Sequence, residues 1–361
     1  MDDTGNVALL GYGYSGKTFH APLIAKVAGL RLTHVVSSNS NKVLTDWPDV
    51  TVLANAEEAF ANPDVNLVVI ATPNDTHFNL AARALSAGKN VVVDKPFTTT
   101  VAEASELVAL AANLGRMLSV FQNRRWDSDF LTVRRIIDEG RMGEVVHFES
   151  HFDRYRPEVQ ARWRESPGPG GGVWFDLGPH LVDQVLQLFG RPGTIYADFE
   201  SQRNGAKAVD YFHVLLRYER TRVILHAASL VAAKTARFTI HGRLGSFIKY
   251  GLDTQEDALR NGETPGGSGW GRDPEPGTLV IPHENGMQLS KVPSIPGNYL
   301  LYYEAIRDSM LHGAPNPVPA PQAVSVMMVL EIASESVRQG RELPCQGPPE
   351  AAGHRCSGAE V

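Results

Sequence analysis

Apolar and polar positions follow two different rhythms along this chain, and the change falls near residue 121. In the first third, VALLGYG, LRLTHVVSS, NLVVIATPN, NVVVDKP and MLSVFQ read as strands, several of them continuously apolar. Strands buried on both faces have that composition. Between them, apolar residues recur at helical spacing from Lys17 to about Ala28, in THFNLAARALSAG and in VAEASELVALAANLG; the last two end in glycine. Strands separated by helices predict crossover units and a parallel sheet. Beyond Phe121, FLTVRRIIDEG predicts an amphipathic helix, and EVVHFESHFDR alternates apolar with polar, so one face is buried and one is not. A glycine- and proline-rich loop (ESPGPGGG) leads to a helix, LVDQVLQLFG. TIYADFE, DYFHVLLRY, TRVILHAASLV, ARFTIHG and SFIKYG then follow with short turns, as an antiparallel sheet does. Residues 253–278 read as a long polar loop, and NYLLYYEAIRDSMLHG and PQAVSVMMVLEIASESVRQG as two closing helices.

The totals exclude several classes of protein. The 361 residues are 43% hydrophobic and 20% charged, enough for two domains with packed cores. A net charge of -6 with no basic block argues against a nucleic-acid partner. No apolar run reaches membrane-spanning length. The N-terminus is acidic and enters a glycine loop at once, unlike a signal peptide. Cys345 and Cys356 are the two cysteines, too few for a disulfide framework, so a cytoplasmic setting is expected.

Gly11-Tyr12-Gly13-Tyr14-Ser15-Gly16 matches G-x-G-x-x-G between a buried strand and a helix. The glycines allow a tight turn, close approach to a pyrophosphate and close helix–strand packing, and the helix N-terminus faces the phosphates. The expected fold is therefore α/β: an N-terminal Rossmann dinucleotide-binding domain over 1–122, a C-terminal α/β domain with an open, mostly antiparallel sheet over 123–345, and a disordered tail over 346–361. The second strand ends in Val36-Ser37-Ser38-Asn39 with Lys42 nearby and no carboxylate to repel a 2′-phosphate. The cofactor is NADP or NAD, with NADP favoured. Thr72, Asn74 and His77, after the fourth strand, join Tyr14, Ser15 and Asp94 as further cofactor-binding candidates.

VVVDKP delivers Lys95 to the same sheet edge. An ammonium there can hydrogen-bond a substrate hydroxyl and stabilise the alkoxide that forms as hydride leaves. The alternative for Lys95 is a surface ion pair at a strand end.

With these motifs in view, the sequence resembles the Gfo/Idh/MocA oxidoreductases (glucose–fructose oxidoreductases, inositol dehydrogenases and relatives), and among them the scyllo-inositol dehydrogenases. GYGYSGKTFHAPLI, ATPNDTHF, VVVDKPF, FQNRRWDSDF and ESHFDRYRP carry the likeness over nearly the whole chain. Asp94 stands where the family commonly has glutamate before the lysine. The resemblance implies a cis proline at Pro96 and places the family's D-x-x-x-H pair on Asp176 and His180. His180 is then the proton acceptor and Asp176 orients substrate or imidazole. Pro179, tolerated in a first helical turn, makes Asp176 a candidate N-cap. Arg124 and Trp126, together with Asn123 and Arg125, open the second domain. They, Arg154, Tyr155, Arg156 and Trp163 are candidates to meet polyol hydroxyls, against interdomain packing as the plainer role. His147, Glu149 and His151 share a strand face, but hydride transfer needs no metal and none is expected. Hydride transfer between a ring hydroxyl of a cyclitol or sugar and NAD(P) is the expected reaction. A non-catalytic NAD(P)-binding regulator and an NAD-dependent glycoside hydrolase are the alternatives. The open sheet face predicts a homodimer or homotetramer.

Overall fold

The computed structural model describes residues 4–160, 165, 168 and 170–346, and in it the first apolar runs line up as one six-stranded parallel sheet. Its strands are β1 (Gly5–Leu10), β2 (Leu30–Val36), β3 (Thr51–Leu53), β4 (Leu67–Ile70), β5 (Asn90–Val93) and β6 (Leu118–Val120), in the order β3-β2-β1-β4-β5-β6. Strand order reverses between β1 and β4, and ligands of such sheets bind beyond the carboxyl ends of the strands at that crevice. Val91, Val92 and Val93 have no exposed surface. Burial of each contributes roughly 2 kcal/mol. That burial anchors the strand whose next two residues are Asp94 and Lys95. The Lys95–Pro96 bond is cis, as the family resemblance implies. Helix Val101–Leu114 shows the local rules at work. The Thr100 hydroxyl accepts from Glu103 N, the Glu103 carboxylate accepts from Thr100 N, and Gly115 ends the helix at φ 60°. A cap of this kind contributes about 1 kcal/mol.

The second sheet has nine strands: β7 (Val145–His151), β8 (Thr194–Glu200), β9 (Tyr211–Arg217), β10 (Arg222–Ala228), β11 (Phe238–Gly242), β12 (Gly245–Lys249), β13 (Gly277–His283), β14 (Gly286–Val292) and β15 (Leu343–Pro344). Their order is β14-β13-β12-β11-β7-β10-β9-β8-β15, and β7 with β10 is the parallel pair in an otherwise antiparallel sheet. Phe148, Phe212, Val214, Val223 and Leu225 form a buried inner face beneath helices Gly172–Phe189 and Ala320–Gln339. The outer face carries the alternate residues, among them His147, Glu149, His151, His213 and His226, all partly exposed. No helix among the described residues is long and apolar enough to cross a membrane.

Two expectations need correction. The polar stretch 253–278 is not a structureless loop: it holds helix Gln255–Arg260 and leads into β13. The helix bearing His180 starts earlier than its proline suggested. Gly171 is its N-cap, helix Gly172–Phe189 begins at once, and Asp176 and Pro179 lie inside it. Asp176 is therefore not the cap. Trp163 and residues 347–361 lie outside the described residues.

Candidate active site

The glycine loop uses its three glycines in three ways. Gly11 has φ +93°, and a Cβ there would meet the Ala71 carbonyl oxygen at 2.5 Å. A Cβ on Gly16 would overlap the Gly11 carbonyl, so the helix can sit this close to the strand end only with glycine. A Cβ on Gly13 would meet nothing within 4 Å: this residue faces open space at the N-terminus of a continuous helical run from Tyr14 to Lys26. A pyrophosphate fits that geometry. Two cavities open from the loop. One of about 480 Å³ is lined by Tyr12, Gly13, Ser37, Ser38, Asn39 and Lys42. Lys42 Nζ donates to Tyr12 O at 3.0 Å and lies 5.6 Å from the Tyr12 ring centroid. No carboxylate lines this cavity among the described residues.

The other cavity, of about 630 Å³, runs from Gly13, Tyr14 and Ser15 past Thr72, Asn74 and Asp94 into the second domain. Lys95 enters it from the end of β5, and Asp176 and His180 enter it from one face of helix Gly172–Phe189. Lys95 Nζ donates to Asp176 Oδ1 at 3.1 Å and to the Asp176 carbonyl at 2.7 Å. The second bond falls next to a helix irregularity. Pro179, inside the helix, has no N–H for the carbonyl of Phe175, one residue before the Asp176 carbonyl that the lysine meets. Two residues that share no sequence neighbourhood are thus tied together, one from each domain.

His180 is 5% exposed, and its Nδ1 is buried without a hydrogen-bond partner among the described residues. Desolvation, then the cations Lys95, Arg124, Arg237 and Arg154, hold its imidazole well below histidine's usual range. It is therefore a neutral base at neutral pH. Asp94 is anchored behind the lysine: Oδ1 accepts from Lys95 N at 2.7 Å, and Oδ2 faces His20 Nε2 at 3.6 Å. His20 Nδ1 in turn meets Tyr303 Oη at 2.5 Å. Burial pushes the Asp94 carboxyl up, but His20, Lys95 and Ser15 outweigh it and hold it below the carboxylate range.

Other candidates sort by strand and helix geometry. Backbone bonds Phe152 N to His226 O, Arg154 N to Ala228 O and Arg156 N to Ser229 O continue the edge of β7. Phe152, Arg154 and Arg156 therefore alternate into the cavity. Tyr155, between them, points the other way and is 61% exposed, outside the cavity lining. Among the described residues Arg154 makes no ion pair, and it lies 5.1 Å from the Phe152 ring. Arg124 lines the cavity too, but it is committed to Asp127 at 3.1 Å and Glu256 at 2.7 Å. Trp126 packs on Tyr302, with ring centroids 5.6 Å apart, and Arg125 is clamped by both oxygens of Asp183. His77 does not line the cavity; its ring bridges the Thr72 and Pro96 carbonyls at 3.0 and 2.9 Å and fixes the two loops relative to each other. Sequence reading missed His20, Phe152 as a cavity wall, and Glu256. Glu256 accepts from Tyr14 Oη at 2.8 Å and from Arg124 at 2.7 Å, closing the mouth between the domains. Burial pushes its carboxyl up, but Arg124 and Tyr14 outweigh burial and hold it below its usual range. The acidic first turn of TQEDALRN was the available signal.

Known proteins share this fold. The oxidoreductase-family NAD-binding Rossmann fold model matches residues 5–122, and the oxidoreductase-family C-terminal alpha/beta domain model matches residues 134–345. The chain is 52% identical to the uncharacterized oxidoreductase YdgJ of Escherichia coli, over 94% of this chain and 98% of that protein. It is 41% identical to the scyllo-inositol 2-dehydrogenase (NADP(+)) IolW of Bacillus subtilis, over 94% of this chain and 96% of that protein. Among solved structures, YPO2259 of Yersinia pestis superposes with a TM-score of 0.92 at 51% identity, covering 95% of this chain and 98% of that one.

Proposed function

The chain belongs to the Gfo/Idh/MocA oxidoreductase family, as an NAD(P)-dependent dehydrogenase, and from that premise we propose that it oxidises and reduces a ring carbon of a cyclitol or sugar, with NADP as the preferred cofactor. One observation carries the reading: Lys95 from the first sheet and His180 from the second domain line a single cavity that opens on the glycine loop. When bound, the nicotinamide supplies the hydride acceptor. Neutral His180 takes the hydroxyl proton. Lys95 holds the oxygen as negative charge develops on it. Asp176, through Oδ1 and its carbonyl, holds the ammonium in place. Arg154, which makes no ion pair among the described residues, is placed to meet a further substrate oxygen. Gly11, Gly13 and Gly16 shape the pyrophosphate cradle, and Thr72 and Asn74 border its nicotinamide side.

Support for NADP comes from the smaller cavity, where hydroxyls of Ser37 and Ser38 and the Lys42 ammonium stand with no carboxylate. The partly exposed outer face of the second sheet suits a homo-oligomer. The deciding experiment is a panel of inositols and monosaccharides offered with NADP and with NAD, followed by the absorbance of the reduced nicotinamide. A cyclitol turned over with NADP at a lower cofactor KM than with NAD is the expected result. Silence across the panel, or release of aryl alcohol from an aryl glycoside without net cofactor reduction, overturns the reading.

A further inference from the structure

We propose that His151, Asp153 and His226, on the outer face of the second sheet, form a binding site for a divalent transition-metal ion of the zinc class. The three side chains meet because of strand geometry. His151 and Asp153 are two apart on β7 and its extension, so they share a face, and His226 stands directly opposite His151 on β10. Their ligand atoms all lie within 4.8 Å of one another.

Three features distinguish this trio from an ordinary polar strand face. First, the tautomer of His151 is set: its Nε2 meets Glu149 Oε2 at 2.9 Å, which leaves Nδ1 as the atom directed at Asp153. A carboxylate behind an imidazole is the usual support of a metal-binding histidine. Second, that Nδ1 is buried and has no hydrogen-bond partner among the described residues. It stands 3.4 Å from Asp153 Oδ2, and His226 Nε2 stands 3.4 Å from Asp153 Oδ1. Charge-assisted hydrogen bonds are shorter, about 2.7–2.9 Å. Two ligand atoms on one tetrahedral zinc, each at about 2.0–2.1 Å from it, stand about 3.3 Å apart. Third, the carboxylate is already oriented. Ala228 N and the Thr235 hydroxyl donate to its two oxygens at 3.2 and 3.0 Å, and its side chain is 4% exposed.

Two imidazoles and one carboxylate leave a fourth position for water or a group from another chain. The ion would pin the strand end whose opposite face sends Phe152 and Arg154 into the catalytic cavity.

The test is titration of the untagged, chelator-stripped full chain with zinc sulfate, by calorimetry and metal analysis after dialysis. One saturable equivalent per chain is expected. His226→Gln and Asp153→Asn should each weaken it at least tenfold, whereas His241→Ala, on the same face but outside the trio, should leave it unchanged. Glu149→Gln keeps all three ligands and should cost about tenfold, the usual effect of losing the group behind a ligand. Cobalt loading should give visible ligand-field bands in the wild type that Asp153→Asn abolishes. Should His226→Gln or Asp153→Asn fail to fold, the Glu149→Gln titration and the cobalt spectrum of the wild type decide. No saturable equivalent in the wild type, or an equivalent that survives His226→Gln, Asp153→Asn and Glu149→Gln undiminished, overturns the proposal.

Discussion

The two halves of the cleft are built by different physics. The nucleotide half is built from backbone: Gly11, Gly13 and Gly16, a helix N-terminus and strand ends, with Lys42 and two serines at its far rim. The chemical half is built from side chains that have lost much of their water, namely Lys95, His180, Arg154 and the paired Arg124. A backbone cradle presents dipoles whatever the side chains are, so it tolerates most substitutions but not added volume. A cluster of desolvated charges is sensitive to each member, because every cation in it sets the proton affinity of its neighbours. Binding and turnover should therefore separate cleanly between the halves.

The largest separation is expected from His180→Asn. With His180 proposed as the proton acceptor, its loss should lower kcat by about 10²–10⁴-fold while dinucleotide affinity, measured by fluorescence titration, stays within twofold or so. A variant whose kcat is unaltered would break the division. Lys95→Met comes next: removal of the oxyanion donor should cost about 10²–10³-fold in kcat, again with the cofactor still bound. On the other side, Gly13→Ala should fold normally, because a Cβ there meets no protein atom. It should raise the KM for NADP about tenfold, since a methyl group stands where the phosphates approach and roughly 1.4 kcal/mol of binding is lost. Gly16→Ala, by contrast, forces a Cβ onto the Gly11 carbonyl, and about 1–3 kcal/mol of stability should be lost in a denaturant titration.

A smaller effect concerns pH. With desolvation and four cations keeping His180 below its usual range, the acid limb of kcat/KM should fall below pH 6.5, the free histidine value being about that. Arg154→Gln removes one cation, raises the proton affinity of His180 and should move that limb to higher pH. The sign for stability follows from the same shift. Below about pH 6.5 the unfolded chain takes up a proton at this position that the folded chain refuses, so stability is lost as pH falls through that window. Arg154→Gln should soften the loss.

The parallel sheet was legible because burial on both faces leaves an unmistakable signature, as in VVIA and VVV, with glycine at each helix end. β3 escaped because three residues, Thr51 to Leu53, are too short to show a period. In the second sheet β7 to β12 were readable from alternation. β14 was not, because nearly every residue from Gly286 to Lys291 is exposed or half exposed, and Met287 and Leu289 point to water. The start of helix Gly172–Phe189 was misjudged because a mid-helix proline imitates a first turn. Only the packing reveals that Lys95 donates to the carbonyl of Asp176. In the site, the alternation that carried Arg154 inward also carried Tyr155 outward. The facing residue Glu256 arrives from 130 residues downstream of Trp126, in a segment whose polarity hid its helix.

The convergence of the two domains on one oxygen is tested most directly by a crystal structure of the protein with NADP and a cyclitol that it turns over. Lys95 Nζ and an imidazole nitrogen of His180 should both lie within hydrogen-bond distance of the same substrate oxygen, on the carbon nearest the nicotinamide. A substrate whose reacting hydroxyl meets neither group, or meets only one while the other faces solvent, would contradict the assignment.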